Sequence, residues 1–390
     1  MLTPHFQYRM KPIPYGRQNI TDEDIEAVIS ALKADFLTQG PKVGEFENAF
    51  AEYVGAKFAV AVNNATAGLH LAVLTLGLER GNRIITTPIT FAASANCARY
   101  VGAEVWLADI DPDTYLMSLD KTEELLKSKP KGFFKGIIPV SFAGLPINTE
   151  AFKVLADKYD LWIVEDACHA PGGFYVDSHG EKQMCGNAKY TELGIFSFHP
   201  VKHIACGEGG MVTTNNEKLY QSLLKLRTHG ITKNQMEENH GGWYYEMQEL
   251  GYNYRLTDIQ SALGISQLKK NEEGVARRNQ ISERYKQAFQ GVIKYQSLPD
   301  KSFNAHHLFV IEVDDRAGLY NYLRDNGIFA QIHYIPVHMM PYYKRIGYGD
   351  ADLSNSERYY DRCISLPMYP SLTKEEQQYV IEKVLSFYGG

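Results

Sequence analysis

The sequence predicts an α/β protein, with a large domain on a mostly parallel sheet and a smaller C-terminal α+β domain. Two observations carry this. From Lys57 to Glu165 short apolar runs alternate with helical patterns, as in a parallel sheet covered on both faces. After about Gly291 that alternation gives way to a mixed pattern of strands and helices. The chain has 390 residues, enough for two domains. The expected division is an arm over 1–20, a large domain over 21–250 and a C-terminal region over 251–390.

Pro12, Pro14 and Gly16 keep the arm irregular. Thr21 is a good N-cap, and Asp22, Glu23 and Asp24 suit the first turn of a helix to about Lys33. A loop over Phe36–Lys42 precedes an amphipathic helix over Val43–Val54. The alternating region then gives strands at Phe58–Val62, Arg83–Thr87, Glu104–Ala108, Gly136–Ser141 and Leu161–Glu165. Between them lie helices at Thr66–Leu76, Phe91–Tyr100, Lys121–Lys127 and Thr149–Tyr159. Asp177–Glu192 is polar and reads as a surface loop. Leu193–Phe198 and Gly210–Thr214 are strands, and Glu217–Thr228, Thr257–Leu268 and Arg277–Phe289 are helices. The last unit has strands at His307–Val313 and Ala330–His333, with helices at Ala317–Asn326 and Lys374–Phe387.

Composition excludes several classes. The net charge of −6 gives no general attraction to nucleic acid or to an anionic membrane. A phosphorylated ligand must therefore be held by local groups. No apolar run approaches the ~18 residues of a membrane span, and the N-terminus lacks the apolar core of a signal peptide. The five cysteines are odd in number, scattered and without CxxC spacing. That pattern fits reduced thiols and a cytoplasmic protein.

Ligands of parallel sheets sit beyond the carboxyl ends of the strands. After the first strand comes Asn63-Asn64-Ala65-Thr66-Ala67-Gly68. Small residues open a helix there, so N–H groups and the Thr66 hydroxyl can meet an anion, although a plain Thr N-cap reads the same way. Asp166 closes the run Leu161–Glu165, where it can pair with a cationic ring nitrogen or serve as a structural cap. Lys202 follows the strand Leu193–Phe198 on a turn broken by Pro200 and running into Gly207-Glu208-Gly209-Gly210. A lysine enclosed on such a turn is a candidate amine nucleophile.

Taken together, an anion-binding helix start, an acid at a strand end and a lysine on a later turn are what pyridoxal 5′-phosphate requires. Ser197 supplies a further hydroxyl for the phosphate. Phe91 can stack on the ring, or else pack in the core.

The chain resembles the DegT-type sugar aminotransferases, of the fold-type-I pyridoxal-phosphate class, from Gln18 to about Leu385. The resemblance rests on Leu37-Thr38-Gln39-Gly40-Pro41-Lys42-Val43, Glu165-Asp166-Ala167-Cys168-His169-Ala170 and Gly251-Tyr252-Asn253-Tyr254-Arg255-Leu256. It implies that Lys202 carries the cofactor, that Asp166 partners the pyridine nitrogen and that His169 lies near the ring. Thr66, Ala67 and Ser197 then hold the phosphate. Asn253 completes that site from the partner subunit of a homodimer with shared active sites, and no metal takes part.

Three further stretches narrow the resemblance: Ser197–His203, Trp243-Tyr244-Tyr245-Glu246 and His333-Tyr334-Ile335-Pro336-Val337-His338. They are most similar to the branch of the family that serves pseudaminic acid biosynthesis. That branch aminates carbon 4 of a UDP-linked 4-keto-6-deoxy-N-acetyl sugar, with L-glutamate as donor. Tyr15, Thr38, Lys42, His333, Tyr334 and His338 are the candidate walls for the UDP-keto sugar. Ala205-Cys206 departs from the family pattern of two threonines and places an oxidisable thiol near the lysine.

Two other readings compete. His199, His203 and Cys206, or His333 with His338, have spacings a metal accepts. Pro200 and Lys202 interrupt the first set, and no acidic ligand is suitably spaced. The dehydratase branch of the family replaces the lysine with histidine, whereas here the lysine is present.

Overall fold

A computed structural model describes residues 11–388, apart from 235, 239, 350 and 351. The first ten residues of the expected arm lie outside the described residues. A seven-stranded sheet organises the larger part of the molecule. Its spatial order is Phe58–Val62, Gly210–Thr214, Leu193–Ser197, Trp162–Asp166, Gly136–Ile138, Arg83–Thr86 and Glu104–Leu107. Gly210–Thr214 runs antiparallel to both neighbours. The remaining pairs are parallel. The inner strands are buried on both faces, which is why they read as apolar runs rather than alternating ones.

This order brings the carboxyl ends of Phe58–Val62, Trp162–Asp166 and Leu193–Ser197 to one edge. The antiparallel strand between the first and third passes very close to the helix Ala65–Thr75. A Cβ at Gly210 would lie 2.6 Å from the Asn64 carbonyl carbon and 2.7 Å from the Ala65 nitrogen. Glycine there lets the strand leaving the Lys202 turn run beside the helix start that carries Thr66.

Helix Asp22–Leu32 opens as expected, with the Thr21 N–H donating to Asp24 Oδ2 at 2.9 Å. Helix Pro41–Val54 begins two residues earlier than the apolar pattern suggests, because Asp258 accepts from the Gly40 and Lys42 N–H groups at 2.8 and 2.9 Å. Helix Asp258–Lys269 lies against both N-terminal helices, and Leu256 and Leu268 join Phe46 and Phe50 in one core. A separate core gathers Ile13, Ile281, Tyr285, Phe309, Leu366 and Val380 around the C-terminal sheet. That sheet orders Lys294–Tyr295, Phe309–Glu312 and Cys363–Leu366, all antiparallel.

Three expectations need correction. Asp177–Glu192 is not a plain surface loop. Lys182–Met184 pairs with Phe174–Val176, which in turn pairs with Ser302–Phe303, and Asp177, Gln183 and Cys185 are buried. Strands of two and three residues leave no periodic trace in a sequence. Ala330–His333 is not a strand. Regular pairing stops at Ile328–Phe329, and beyond it only Gln331 bridges to Ser365. The helix expected from Arg277 begins at Asn271, and both Cys363–Leu366 and its preceding helix Ser354–Arg362 went unanticipated.

Candidate active site

Lys202 sits on the turn between Leu193–Ser197 and Gly210–Thr214. The Lys202 N–H donates to the His199 carbonyl at 2.8 Å, and the Cys206 N–H to the Phe198 carbonyl at 2.9 Å. The amine is half-buried in a cavity of about 620 Å³. Burial pushes it down to about 8, with buried Arg278 acting in the same direction and Asp166 opposing. A substantial fraction of this amine is therefore neutral near pH 7 to 8.

Asp166 lines the same cavity. Ser94 Oγ donates to its Oδ2 at 2.6 Å, and the Cys168 N–H to its Oδ1 at 3.1 Å. Thr90 Oγ1 lies 2.8 Å from Ser94 Oγ, extending the chain of hydroxyls. The carboxylate is thus fixed in orientation before any ligand arrives. His169 stands beside it. The Ala143 N–H donates to its Nδ1 at 3.2 Å, so the ring proton sits on Nε2 and faces the Tyr334 hydroxyl at 3.1 Å. Burial, reinforced by the Lys202 charge, holds His169 well below the ordinary histidine range and keeps it neutral.

The anion-binding end differs in detail from the expected one. Asn64 is the N-cap, and its Oδ1 accepts from the Ala67 N–H at 2.8 Å. Ala67 is thereby committed to the cap and does not line the cavity, whereas Asn64, Ala65 and Thr66 do. Among the described residues, the N–H groups left over at this helix start are those of Ala65 and Thr66. Ser197 also lines the cavity. Phe91 is 62% exposed at its mouth, so it is no core residue, and its ring lies 6.2 Å from that of Tyr334.

The other candidate walls divide. Tyr15, His333 and Tyr334 line the cavity, with the Tyr15 and His333 rings 5.1 Å apart. His338 does not. Its ring is 1% exposed, and its Nε2 lies 3.1 Å from Glu357 Oε1, in a packed turn. Thr38 bridges Thr257, Lys42 pairs with Glu45 at the surface and Asn253 is exposed. None of these three reaches the cavity of its own chain. Cys206 is buried and burial pushes its thiol pKa up, so it is a core thiol rather than an oxidisable one.

Two further contributors, Ser94 and His307, carry little sequence signal. Ser94 lies one helical turn beyond Phe91, in a helix read only for its apolar face. His307 lies 3.4 Å from Lys202 Nζ through its Nε2. The doubled His306-His307 before an apolar strand was the available clue. Among the described residues, no group of three or more His, Cys, Asp or Glu side chains is arranged to hold a metal.

The donors present fit pyridoxal 5′-phosphate. An enclosed amine, a fixed carboxylate, spare N–H groups at a helix start and an exposed aromatic ring share one cavity. Fold and site together define a fold-type-I pyridoxal-phosphate aminotransferase. The chain belongs to the DegT/DnrJ/EryC1/StrS aminotransferase family, whose model matches residues 18–385. It is a pyridoxal-phosphate-dependent sugar aminotransferase.

Three relatives bear on the substrate. A spore coat polysaccharide biosynthesis protein of Bacillus subtilis is 37% identical, over 98% of this chain and 99% of that one. The UDP-4-amino-4,6-dideoxy-N-acetyl-beta-L-altrosamine transaminase of Campylobacter jejuni serotype O:2 is 35% identical, over 96% and 97%. A solved Helicobacter pylori aminotransferase involved in pseudaminic acid biosynthesis superimposes with a TM-score of 0.88, at 29% identity over 97% of this chain and 100% of that one.

Proposed function

We propose that the enzyme transfers the amino group of L-glutamate to carbon 4 of a UDP-linked 4-keto-6-deoxy-N-acetylhexosamine. The product would be UDP-4-amino-4,6-dideoxy-N-acetyl-β-L-altrosamine, on the way to pseudaminic acid. The observation that carries the aminotransferase reading is that the Lys202 amine and the fixed Asp166 carboxylate share one cavity. The sugar rests on the likeness to the Campylobacter and Helicobacter enzymes. A second reading is amination of another nucleotide-linked keto sugar, such as a UDP-D-gluco or dTDP-linked one; the comparable identity to the Bacillus protein supports a polysaccharide role without naming the sugar.

Bound in the cavity, pyridoxal phosphate supplies an aldehyde that takes up an amine and a ring that accepts electron density. Lys202 would take a proton at carbon as the free neutral amine and deliver one at carbon as the ammonium so formed, serving as base at the donor α-carbon and as acid at the carbon being aminated. The Asp166 charge would keep the ring nitrogen of the bound cofactor protonated, with Ser94 holding that carboxylate in place. The Thr66 and Ser197 hydroxyls, with the leftover N–H groups at the helix start, bind the phosphate. Phe91 and His169 confine the ring, and Tyr15 and Tyr334 shield the reacting centre from water.

The proposed active unit is a homodimer. Ile25, Ile29 and Leu32 form an exposed apolar stripe on helix Asp22–Leu32, Phe36 is exposed just beyond its end, and Asn253 stands exposed with no role in its own chain's cavity. A cytoplasmic setting suits five cysteines that are all unpaired. Among the described residues, no helix is long and apolar enough to cross a membrane.

The deciding experiment offers UDP-4-keto-L-arabino, UDP-4-keto-D-gluco and dTDP-linked 3-keto and 4-keto sugars with L-glutamate, and assigns products by NMR. Amination at carbon 4 of the L-arabino sugar, ahead of the others, is expected. Preference for a dTDP sugar, or amination at carbon 3, would refute the specific assignment.

A further inference from the structure

His307 is contributed by the turn that enters strand Phe309–Glu312, far from the elements that supply Lys202 and Asp166. Its Nε2 lies 3.4 Å from Lys202 Nζ. Its Nδ1 is buried with no hydrogen-bond partner among the described residues. One ring nitrogen of a neutral histidine carries a proton and the other a lone pair. A buried N–H without an acceptor is rarer than an under-used acceptor, so the bare nitrogen is Nδ1 and the proton is on Nε2. An N–H aimed at Nζ requires a lone pair on Nζ, and only the neutral amine has one.

The surroundings of His307 are built to hold this ring. Arg278 is fully buried and, among the described residues, makes no ion pair with a carboxylate. It donates instead to the His306, His307 and Met368 carbonyls at 3.3, 3.3 and 2.8 Å. Its fixed positive charge opposes protonation of any histidine nearby. His203 Nε2 donates to the Ala305 carbonyl at 2.9 Å, and the Leu308 N–H donates to the Ala143 carbonyl at 3.2 Å. His306 adopts φ +51°, a left-handed conformation rare for such a residue. Gly144 packs against the turn so closely that a Cβ would lie 2.6 Å from the His306 nitrogen and 2.7 Å from the His307 nitrogen. The His169 ring centroid sits 4.4 Å away on the other side.

We propose that His307 is a positioning residue for the aminotransfer: its Nε2–H donates to the free amine of Lys202 and holds that amine neutral between its proton transfers. This rests on the assignment of Lys202 as the catalytic amine. The other charged or titratable groups that act on Lys202 are Asp166, Cys168 and Arg278, while the neighbouring His169, His203 and His333 are all held neutral by burial. Against that fixed background, a hydrogen bond to the neutral form depresses the amine further.

The test uses holoenzyme treated with excess L-glutamate, which frees Lys202. Its chemical acetylation is followed against pH by peptide mass spectrometry. In His307→Leu, which keeps the bulk but loses the donor, the midpoint should rise by about one pH unit, leaving about tenfold less neutral amine at pH 7. His307→Gln, whose amide can still donate, should keep a midpoint close to that of the unaltered enzyme. In the unaltered protein, histidine-selective ¹⁵N NMR should place the His307 proton on Nε2, a readout that does not depend on either variant folding. An unchanged or lowered midpoint in His307→Leu, or a proton on Nδ1, would overturn the proposal. The aminotransferase reading would still stand if Lys202→Ala were inactive, and would fall with it if Lys202→Ala kept full activity.

Discussion

Asp166, Ser197 and Lys202 reach the cavity from the ends of regular strands or the turn joining them. His307, His333 and Tyr334 reach it from stretches with no regular structure. The first group forms a floor whose positions follow from the strand order, because parallel strands deliver their carboxyl ends to one edge. The second group forms a wall whose positions depend on individual hydrogen bonds, such as Tyr359 Oη to the His333 carbonyl at 2.6 Å and His333 Nδ1 to Ser365 Oγ at 2.9 Å. Under the proposed function, the bond-making groups Lys202 and Asp166 belong to the strand-end floor, and the residues proposed to recognise a sugar belong to the irregular wall.

If this division is right, floor substitutions should cost rate, and wall substitutions, His307 apart because it acts on Lys202, should cost selectivity or stability. The largest effect belongs to Lys202→Ala. Turnover should drop by roughly 10³–10⁴-fold while circular dichroism and thermal melting stay unchanged. Asp166→Asn comes next, with the glutamate half-reaction slowed about 10²-fold and the KM for the sugar little altered. Unchanged half-reaction rates would demote Asp166 to a structural cap and erase the distinction between floor and wall.

A subtler test asks whether the floor is complete within one chain. Asn253→Ala should weaken cofactor retention, measured by dialysis and absorbance. Mixing it with Lys202→Ala chains should restore about one working site per mixed dimer. No recovery on mixing, or a fully active monomer at low concentration, would mean that each chain owns its whole site.

On the wall, burial lowers both His306 and His333 from 6.5 to about 3. The unfolded chain takes up these protons near pH 6.5 and the folded one does not. Stability from this source is therefore complete above pH 6.5 and is lost as pH falls from there towards 3. Urea midpoints between pH 7 and pH 4 should show it, and His333→Asn should flatten the slope. The smallest catalytic effect is expected from His338→Ala. It should cost about 2 kcal/mol of stability through a lost buried ring and leave the KM for the sugar unchanged. A large KM change would return His338 to the site.

The floor is legible in the sequence because each of its residues ends an apolar run or follows one within a few residues, and runs of four or five residues announce buried strands. Lys202, Asp166, Thr66 and Ser197 were placed that way. Ala67, which the resemblance implies for the phosphate, instead donates its N–H to the Asn64 side chain, a cap that the Thr66 reading did not anticipate. Ser94 was missed because its role depends on a helix turning its hydroxyl towards a strand 72 residues away. His307 was missed because the contact that gives it meaning spans 105 residues. Asp177–Glu192 reads as loop because the strands Phe174–Val176 and Lys182–Met184, which pair there, are too short for a period to form. His338 illustrates the opposite error, since a motif-like spacing from His333 ended in a packed turn.

Every role proposed for the cavity depends on Lys202 carrying the cofactor. Borohydride reduction of the purified, yellow protein, followed by peptide mass spectrometry, tests it directly. A phosphopyridoxyl group on Lys202, absent after prior treatment with excess L-glutamate, is the result expected. A group on another lysine, or none on a protein that still transaminates, would contradict it.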